Sequence, residues 1–224
     1  MNSANTDYSS VANLYDSLGH IYSGGQIAAT KASQINHIST GDRVLYAGVG
    51  GGEDARLAAK AGAKVTVVDL SQAMLDRAIV GFERAGVRDD IEVICGDIME
   101  HARHGHYDVV VANFFLNVFD TELMPQVMKH LALQLRDGGT FMIADFRPLS
   151  DAWVDRGLQQ LYFGCANAVF RLVANNPFHP IYDYDQHLPD YGLMTQERRD
   201  FRLFGRGPSW YRTWRATKQS PQNH

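Results

Sequence analysis

The stretch that most constrains this chain runs from Arg43 to Arg56, RVLYAGVGGGEDAR. Val44, Leu45, Tyr46 and Ala47 lead directly into glycines at alternate positions, Gly48, Gly50 and Gly52. The pattern reads as a buried strand, a glycine-rich turn and the opening of a helix. Such a turn lets the backbone come close to a ligand and take positive φ, while the unpaired N–H groups that begin the helix point at it. The ligand it implies bears a nucleoside and is gripped at the end of a strand.

Spacing separates the competing fingerprints. The dinucleotide pattern G-x-G-x-x-G needs a third glycine where Glu53 stands, and a P-loop needs Gly-Lys-Ser/Thr after the glycines; the chain has neither. With VTVVDLS at 65–71 and CGDIM at 95–99, the G-x-G-x-G stretch resembles the first motif of class I S-adenosylmethionine-dependent methyltransferases. The resemblance covers residues 40–147. In addition, ANLYDSLGHIYSGGQ is similar to the N-terminal region of the subgroup that acts on quinones and other small molecules. It implies a Rossmann-like α/β fold, a seven-stranded mostly parallel sheet of order 3-2-1-4-5-7-6 with an α-helical lid, and S-adenosyl-L-methionine as cofactor. The organisation it implies is an N-terminal helical lid (1–39), a cofactor-binding core (40–147), a helical substrate-lid insertion (148–190) and the final strands (191–224).

Composition narrows the partners. The 224 residues carry a net charge of −4 and no basic run, which argues against a nucleic-acid backbone as partner. Two cysteines, Cys95 and Cys165, lack the spacing of a disulfide framework or a metal site, so a reducing, cytoplasmic compartment is expected. MNSANTDYSS is polar, without the organisation of a secretory signal, and no apolar run reaches the ~18 residues of a membrane span.

Candidate site residues follow from the strand ends, where open α/β sheets bind their ligands. Strands are expected at 43–47, 64–69, 91–95, 107–113 and 140–145, with helices at 53–61, 72–85 and 121–135. Asp69 closes the second strand, seventeen residues after Gly52; it can accept both ribose hydroxyls of an adenosine, or else cap the next helix, a role for which Ser71 competes. The resemblance assigns adenine contacts to Leu70 and Met74, and a hydrogen bond from the adenine amino group to Asp97, beside Ile98. Gly-Asp is also common turn chemistry. Asn113 ends the fourth strand near the sulfonium end of the cofactor, and Phe114 and Phe115 are candidates for the substrate wall or for core packing. Tyr46, Gly48, Gly50, Gly52, Asp69, Leu70, Met74, Asp97, Ile98, Asn113 and Phe114 make up the expected cofactor set. His101, His104 and His106 lie in a polar stretch without a ligand-set spacing, so no metal site is expected.

The remaining sequence carries the acceptor side. A helical pattern over Trp153–Ala174 is amphipathic, which suits a lid over an apolar substrate, packing against the sheet or a second subunit as a homodimer, and leaves a peripheral membrane contact open. Strands are expected at 199–205 and 210–217, with Arg202, Arg206, Arg212 and Arg215 on a solvated face. Tyr15, His20 and Tyr22 could face the ligand or pack on the sheet. Tyr22, His179 and Tyr184 are the weak candidates for a catalytic proton acceptor. The chain departs from the resembling family at Tyr46, where an acid two residues before the first glycine usually serves the methionine amino group; Glu53 and Asp54 are candidate replacements. Three functions therefore stand: methyl transfer to a small, partly apolar acceptor such as a quinone or phenol; rhodoquinone-type amino transfer onto a quinone with the same cofactor, a branch that also departs from this acid; or a non-catalytic S-adenosylmethionine-binding protein. A nicotinamide-dependent dehydrogenase is the distant alternative.

Overall fold

A computed structural model describes residues 23–150, 152–174, 180–202 and 207–220, without the side chains of 162 and 165–174. Tyr15, His20, Tyr22 and His179 lie outside the described residues. Helix α1 (Gln26–Gln34) follows Gly24 and Gly25, both at positive φ, and continues into a 3₁₀ turn, Ile35–His37. Five strands and three helices then build the parallel part of the sheet: β1 (Arg43–Ala47), α2 (Glu53–Lys60), β2 (Lys64–Asp69), α3 (Gln72–Arg84), β3 (Ile91–Cys95), β4 (Tyr107–Asn113), α4 (Leu123–Gln134) and β5 (Leu135–Phe146). Helix α5 (Trp153–Ala174), the short α6 (Tyr184–His187), β6 (Leu193–Arg202) and β7 (Ser209–Lys218) complete the chain.

The strand order is β3-β2-β1-β4-β5-β7-β6, with β1 to β5 parallel and β7 antiparallel to both its neighbours. The expected order is thus met, and β1 beside β4 is the point where the winding reverses. Each face carries its own core. Leu45, Val110 and Ile143 pack under Met124, Val127, Met128 and Leu131 of α4 on one side; Val44, Tyr46, Val67 and Val111 pack under α2 and α3 on the other. Both faces are covered, which is why β1 and β4 read as continuous apolar runs.

Local chemistry sets the helix ends. Ser71 caps α3, its Oγ accepting from the Met74 N–H at 3.4 Å, and Leu75, Ala78 and Phe82 form the buried stripe. Gly62 (φ 90°) ends α2: its N–H donates to the Ala59 carbonyl, and the Ala63 N–H to that of Ala58. Asp120 Oδ1 accepts from the Glu122 and Leu123 N–H groups, so α4 begins at Leu123, two residues after the expected start.

Three expectations are corrected. Strand pairing on β5 begins at Leu135 rather than Thr140, because Asp137-Gly138-Gly139 forms an irregularity inside the strand; β4 skips register between Tyr107 and Val109 opposite it. Strand β6 runs Leu193–Arg202, not from Arg199. It is one of the two edge strands, with β3 the other, and its charged stretch TQERRD is what edge strands use to stay unpaired with other chains, so apolar patterning does not mark it. Finally, Arg212 and Arg215 do not share one solvated face, and Arg206 lies outside the described residues. Arg212 pairs with Asp200 and Arg215 with Glu197; three positions apart on one strand, they point to opposite sides of the sheet.

Candidate functional site

The glycine loop sits at the carboxyl ends of β1 and β4. Gly48, Gly50 and Gly52 all take positive φ, at 76°, 49° and 72°. Two of them are also fixed by space: a Cβ at Gly48 would lie 2.7 Å from the Phe115 ring, and one at Gly52 would lie 2.8 Å from Ala78 Cβ. The crest differs. A Cβ at Gly51 would meet nothing within 4 Å, and one at Gly50 only Lys31 Nζ at 3.5 Å. The loop is therefore packed where it joins the fold and open where a ligand would lie against its backbone.

Asp69 holds this loop to the next one. Its Oδ2 accepts from the Val49 N–H and its Oδ1 from the Ser71 N–H, each at 2.8 Å. Ser71 is the helix cap, so Asp69 is free of that role. A carboxylate offers about four acceptor positions, which leaves two for other donors. Leu70, next in the chain, is 73 % exposed, while Met74 packs partly buried against the α2–α3 core. Asp97 Oδ1 accepts from the Met99 N–H at 2.9 Å, the turn role that competed for it, while its Oδ2 takes no bond from a described residue. Ile98 is buried under the β4–α4 core and presents no side-chain surface.

Tyr46 is 3 % exposed and lies in the α2–α3 core, its hydroxyl donating to the carbonyl oxygen of Asp54 at 3.2 Å. Burial, together with the neighbouring Asp54 carboxylate, pushes this phenol well above its ordinary pKa, so it stays neutral. It offers no side-chain face to a ligand; it positions Asp54. The two candidate acids differ in setting: Glu53 is 68 % exposed and paired with Arg56, whereas Asp54 is 4 % exposed. Asp54 Oδ2 accepts from Asn113 Nδ2 at 3.0 Å and lies 3.6 Å from Lys31 Nζ. Asn113 Nδ2 also donates to Gln34 Oε1 at 2.8 Å.

Phe114, directly after β4, is the one non-glycine at positive φ (51°) among the described residues. That turn sends Phe115 against Gly48 and Phe119, and Phe114 into an aromatic group with Phe146 and Tyr211, each at 5.9 Å edge-on. Of the two, Phe115 packs against the β4–α4 core and Phe114 against the separate aromatic group. Phe163 of α5, Trp210, Phe201, Ile27 and Ile181 complete the group. Most of these, with Lys31 and Gln34, come from elements outside the glycine-loop motif, and no spacing in the sequence ties them to it.

Tyr184 is corrected as a proton acceptor. It is fully buried, donates to Asp145 Oδ2 at 2.6 Å, and burial and then Asp145 raise it well above its ordinary pKa. Asp145, the last residue but one of β5, was not singled out; it also accepts from Asn117 Nδ2 and the Phe146 N–H, and burial pushes its carboxyl up to about 7. His101 bonds to the Tyr107 hydroxyl and His130 to the His101 carbonyl, at the opposite end of β4. Among the described residues no group of three His, Cys, Asp or Glu could hold a metal ion, and no helix is long and apolar enough to cross a membrane.

Comparison with known proteins agrees with this geometry. Residues 44–139 match the methyltransferase domain family. The malonyl-[acyl-carrier protein] O-methyltransferase of Priestia megaterium is 30 % identical over 84 residues, 38 % of this chain. The matched stretch spans 28 % of that relative's length. Among solved structures, the 1,6-didemethyltoxoflavin-N1-methyltransferase of Burkholderia thailandensis, with its substrate and S-adenosylhomocysteine bound, superposes with a TM-score of 0.65 at 17 % identity, covering 98 % of this chain and 92 % of that one. A geranyl diphosphate methyltransferase in complex with S-adenosylmethionine gives 0.63 at 17 %, covering 85 % and 84 %. Residues 44–139 thus match a methyltransferase domain, and the seven-stranded sheet has the fold of these solved methyltransferases.

Proposed function

We propose that the protein transfers the methyl group of S-adenosylmethionine to a small, partly apolar acceptor. The residues suit the cofactor on three observations: the open crest over Gly50 and Gly51, the exposed apolar Leu70 beside Asp69, and buried polar atoms near Asn113 that have no partner. When bound, S-adenosylmethionine supplies an electrophilic methyl group on a sulfonium. The remaining lone pairs of Asp69 would accept its ribose hydroxyls, Asp97 its adenine amino group, and Leu70 and Met74 would flank the adenine.

The observation that carries the acceptor class is the aromatic group built on Phe114, Phe146 and Tyr211 immediately beyond Asn113. Aromatic walls take up flat, partly apolar molecules by area and ring-edge contact. The substrates named for the toxoflavin and geranyl diphosphate enzymes, a small heteroaromatic and a prenyl diphosphate, support a small-molecule acceptor here. In a displacement at a methyl carbon, alignment of nucleophile and methyl can supply much of the rate. A chain whose only described candidate base, Tyr184, is buried and neutral suits acceptors that lose their proton easily, such as acidic phenols or ring nitrogens.

Amino transfer onto a quinone was motivated by Tyr46. With Asp54 held beneath it, the site regains an acid, and methyl transfer is the better supported of the two. Incubation with methyl-labelled S-adenosylmethionine and a panel of phenols, quinones and N-heteroaromatics tests this: label in the acceptor is expected, while product formed without label points to amino transfer. Calorimetry that finds neither S-adenosylmethionine nor S-adenosylhomocysteine bound removes both.

A further inference from the structure

Away from the glycine loop, a cavity of about 230 Å³ lies between the end of α1 with its 3₁₀ turn and the antiparallel strands β6 and β7. That is many times the roughly 15 Å³ that holds one water, so there is room for a small organic molecule. Its wall on the sheet is two cross-strand pairs on the same side: Glu197 beside Arg215, and Arg199 beside Thr213. His37 closes it from the helix side.

The first pair is complete and the second is not. Glu197 accepts from Arg215 Nε at 3.2 Å and lies 3.5 Å from His37 Nε2. Arg199 has no carboxylate partner among the described residues; its guanidinium carbon stands over the Phe201 ring, 5.2 Å from the centre. A guanidinium held on a ring in this way keeps N–H donors for an acceptor at its edge. Thr213 is only 8 % exposed, and its hydroxyl bonds to no described residue. A cation and a buried hydroxyl are thus left over side by side, where buried polar groups are as a rule paired.

We propose that this cavity is a second binding site, for the anion of a small monocarboxylic acid. Arg199 presents its fork of donors to the carboxylate and Thr213 adds its hydroxyl. Two guanidinium groups face the single carboxylate of Glu197, so with His37 neutral one added negative charge balances the cavity, whereas a phosphate dianion leaves an excess. The site has its own walls: no residue of the glycine loop or of the aromatic group around Phe146 lines it. Arg199 and Thr213 each stand two residues along their strands, about 7 Å, from Phe201 and Tyr211 of that group. The site therefore stands apart from the cofactor reading and does not depend on it.

An NMR titration of the isotope-labelled full chain tests it, with sodium isobutyrate, its uncharged isostere isobutyramide, and inorganic phosphate, at an ionic strength held constant with sodium chloride. Isobutyrate should give saturable shifts centred on His37, Arg199 and Thr213, and isobutyramide none. Arg199→Ala should weaken isobutyrate about tenfold or more and Thr213→Val about two- to fivefold, each with S-adenosylhomocysteine affinity unchanged. Arg198→Ala is the matched control: one residue away, it points to the opposite side of β6 and pairs with Asp185, so it removes the same charge and should change isobutyrate binding less than about twofold. Arg199 is exposed, so its variant folds even if Thr213→Val does not. Equal loss in Arg198→Ala and Arg199→Ala, shifts that never saturate, or the same shifts with isobutyramide overturn the site. Phosphate bound more tightly than isobutyrate overturns the monocarboxylate as its ligand.

Discussion

Two buried polar clusters sit at the carboxyl ends of neighbouring strands, β4 and β5, and they are built on different principles. In Asn117–Asp145–Tyr184 each carboxylate oxygen of Asp145 has its donor: Asn117 and the Phe146 N–H on one, the Tyr184 hydroxyl on the other. In Lys31–Gln34–Asp54–Asn113 a donor and an acceptor are left over. A saturated cluster costs least when nothing enters it and therefore serves the fold. An unsaturated one is stable only because something else completes it, or because function justifies the deficit. Saturation, rather than the mere presence of an acid at a strand end, separates a structural carboxylate from a ligand-binding one.

Variants can break that contrast, beginning with the greatest effect. Asp145→Ala leaves three buried donors without an acceptor and should cost about 3–5 kcal/mol in urea unfolding, against a change of about threefold or less in S-adenosylhomocysteine affinity. A large loss of affinity in still-folded protein would put Asp145 in the site after all. Tyr184→Phe removes one bond and should cost about 1–2 kcal/mol with turnover nearly unchanged; a pH-dependent collapse of kcat would restore it as a base.

Acidity gives a third handle. Because burial holds the Asp145 carboxyl up at about 7 rather than 3.8, the unfolded chain releases this proton as pH rises from 4 to 7 while the folded one keeps it, so its contribution to stability falls across that window. The stability of wild type relative to Asp145→Asn should then be greater at pH 4.5 than at pH 7.5. The opposite trend would mean that the carboxylate is ionised and held by its donors. Asp108 behaves the other way: Arg43 and Arg136 hold it well below the usual carboxylate range against the effect of its partial burial, so its contribution is present above about pH 4 and lost as acid protonates it. The smallest expected effect is at the open cluster. Gln34→Leu removes a buried donor without a partner among the described residues but also the Oε1 that accepts from Asn113 Nδ2, so the two effects should largely offset and stability should change by no more than about 1 kcal/mol, while S-adenosylhomocysteine binding weakens. A marked loss of stability would show that the cluster is already complete.

How much of this was readable beforehand depends on which force writes the pattern. Strands β1 to β4 stand where expected, residue for residue; for β1, β2 and β4, inside the sheet, burial on both faces imposes a mostly apolar run. Strand β6 was displaced because an edge strand is bound mainly by its backbone and is free to be charged. Asp54 was one of two acids named, and only burial tells it from Glu53. Lys31 and Gln34 are one helical turn apart, an i, i+3 pair on one face of α1, but nothing in a linear sequence says that this face meets residues 54 and 113. Tyr184, named as a weak proton-acceptor candidate, is similar: nothing in the linear sequence says that its hydroxyl is buried against Asp145.

Phe114 and Phe115 are neighbours whose rings part company, one toward the aromatic wall and the other onto Gly48, because the backbone at 114 turns left-handed. One left-handed residue thus sets the packing on both sides of the strand end: a substitution that relaxes the turn at 114 is expected to disturb the Phe115 contact with Gly48 as well as the ring group around Phe146.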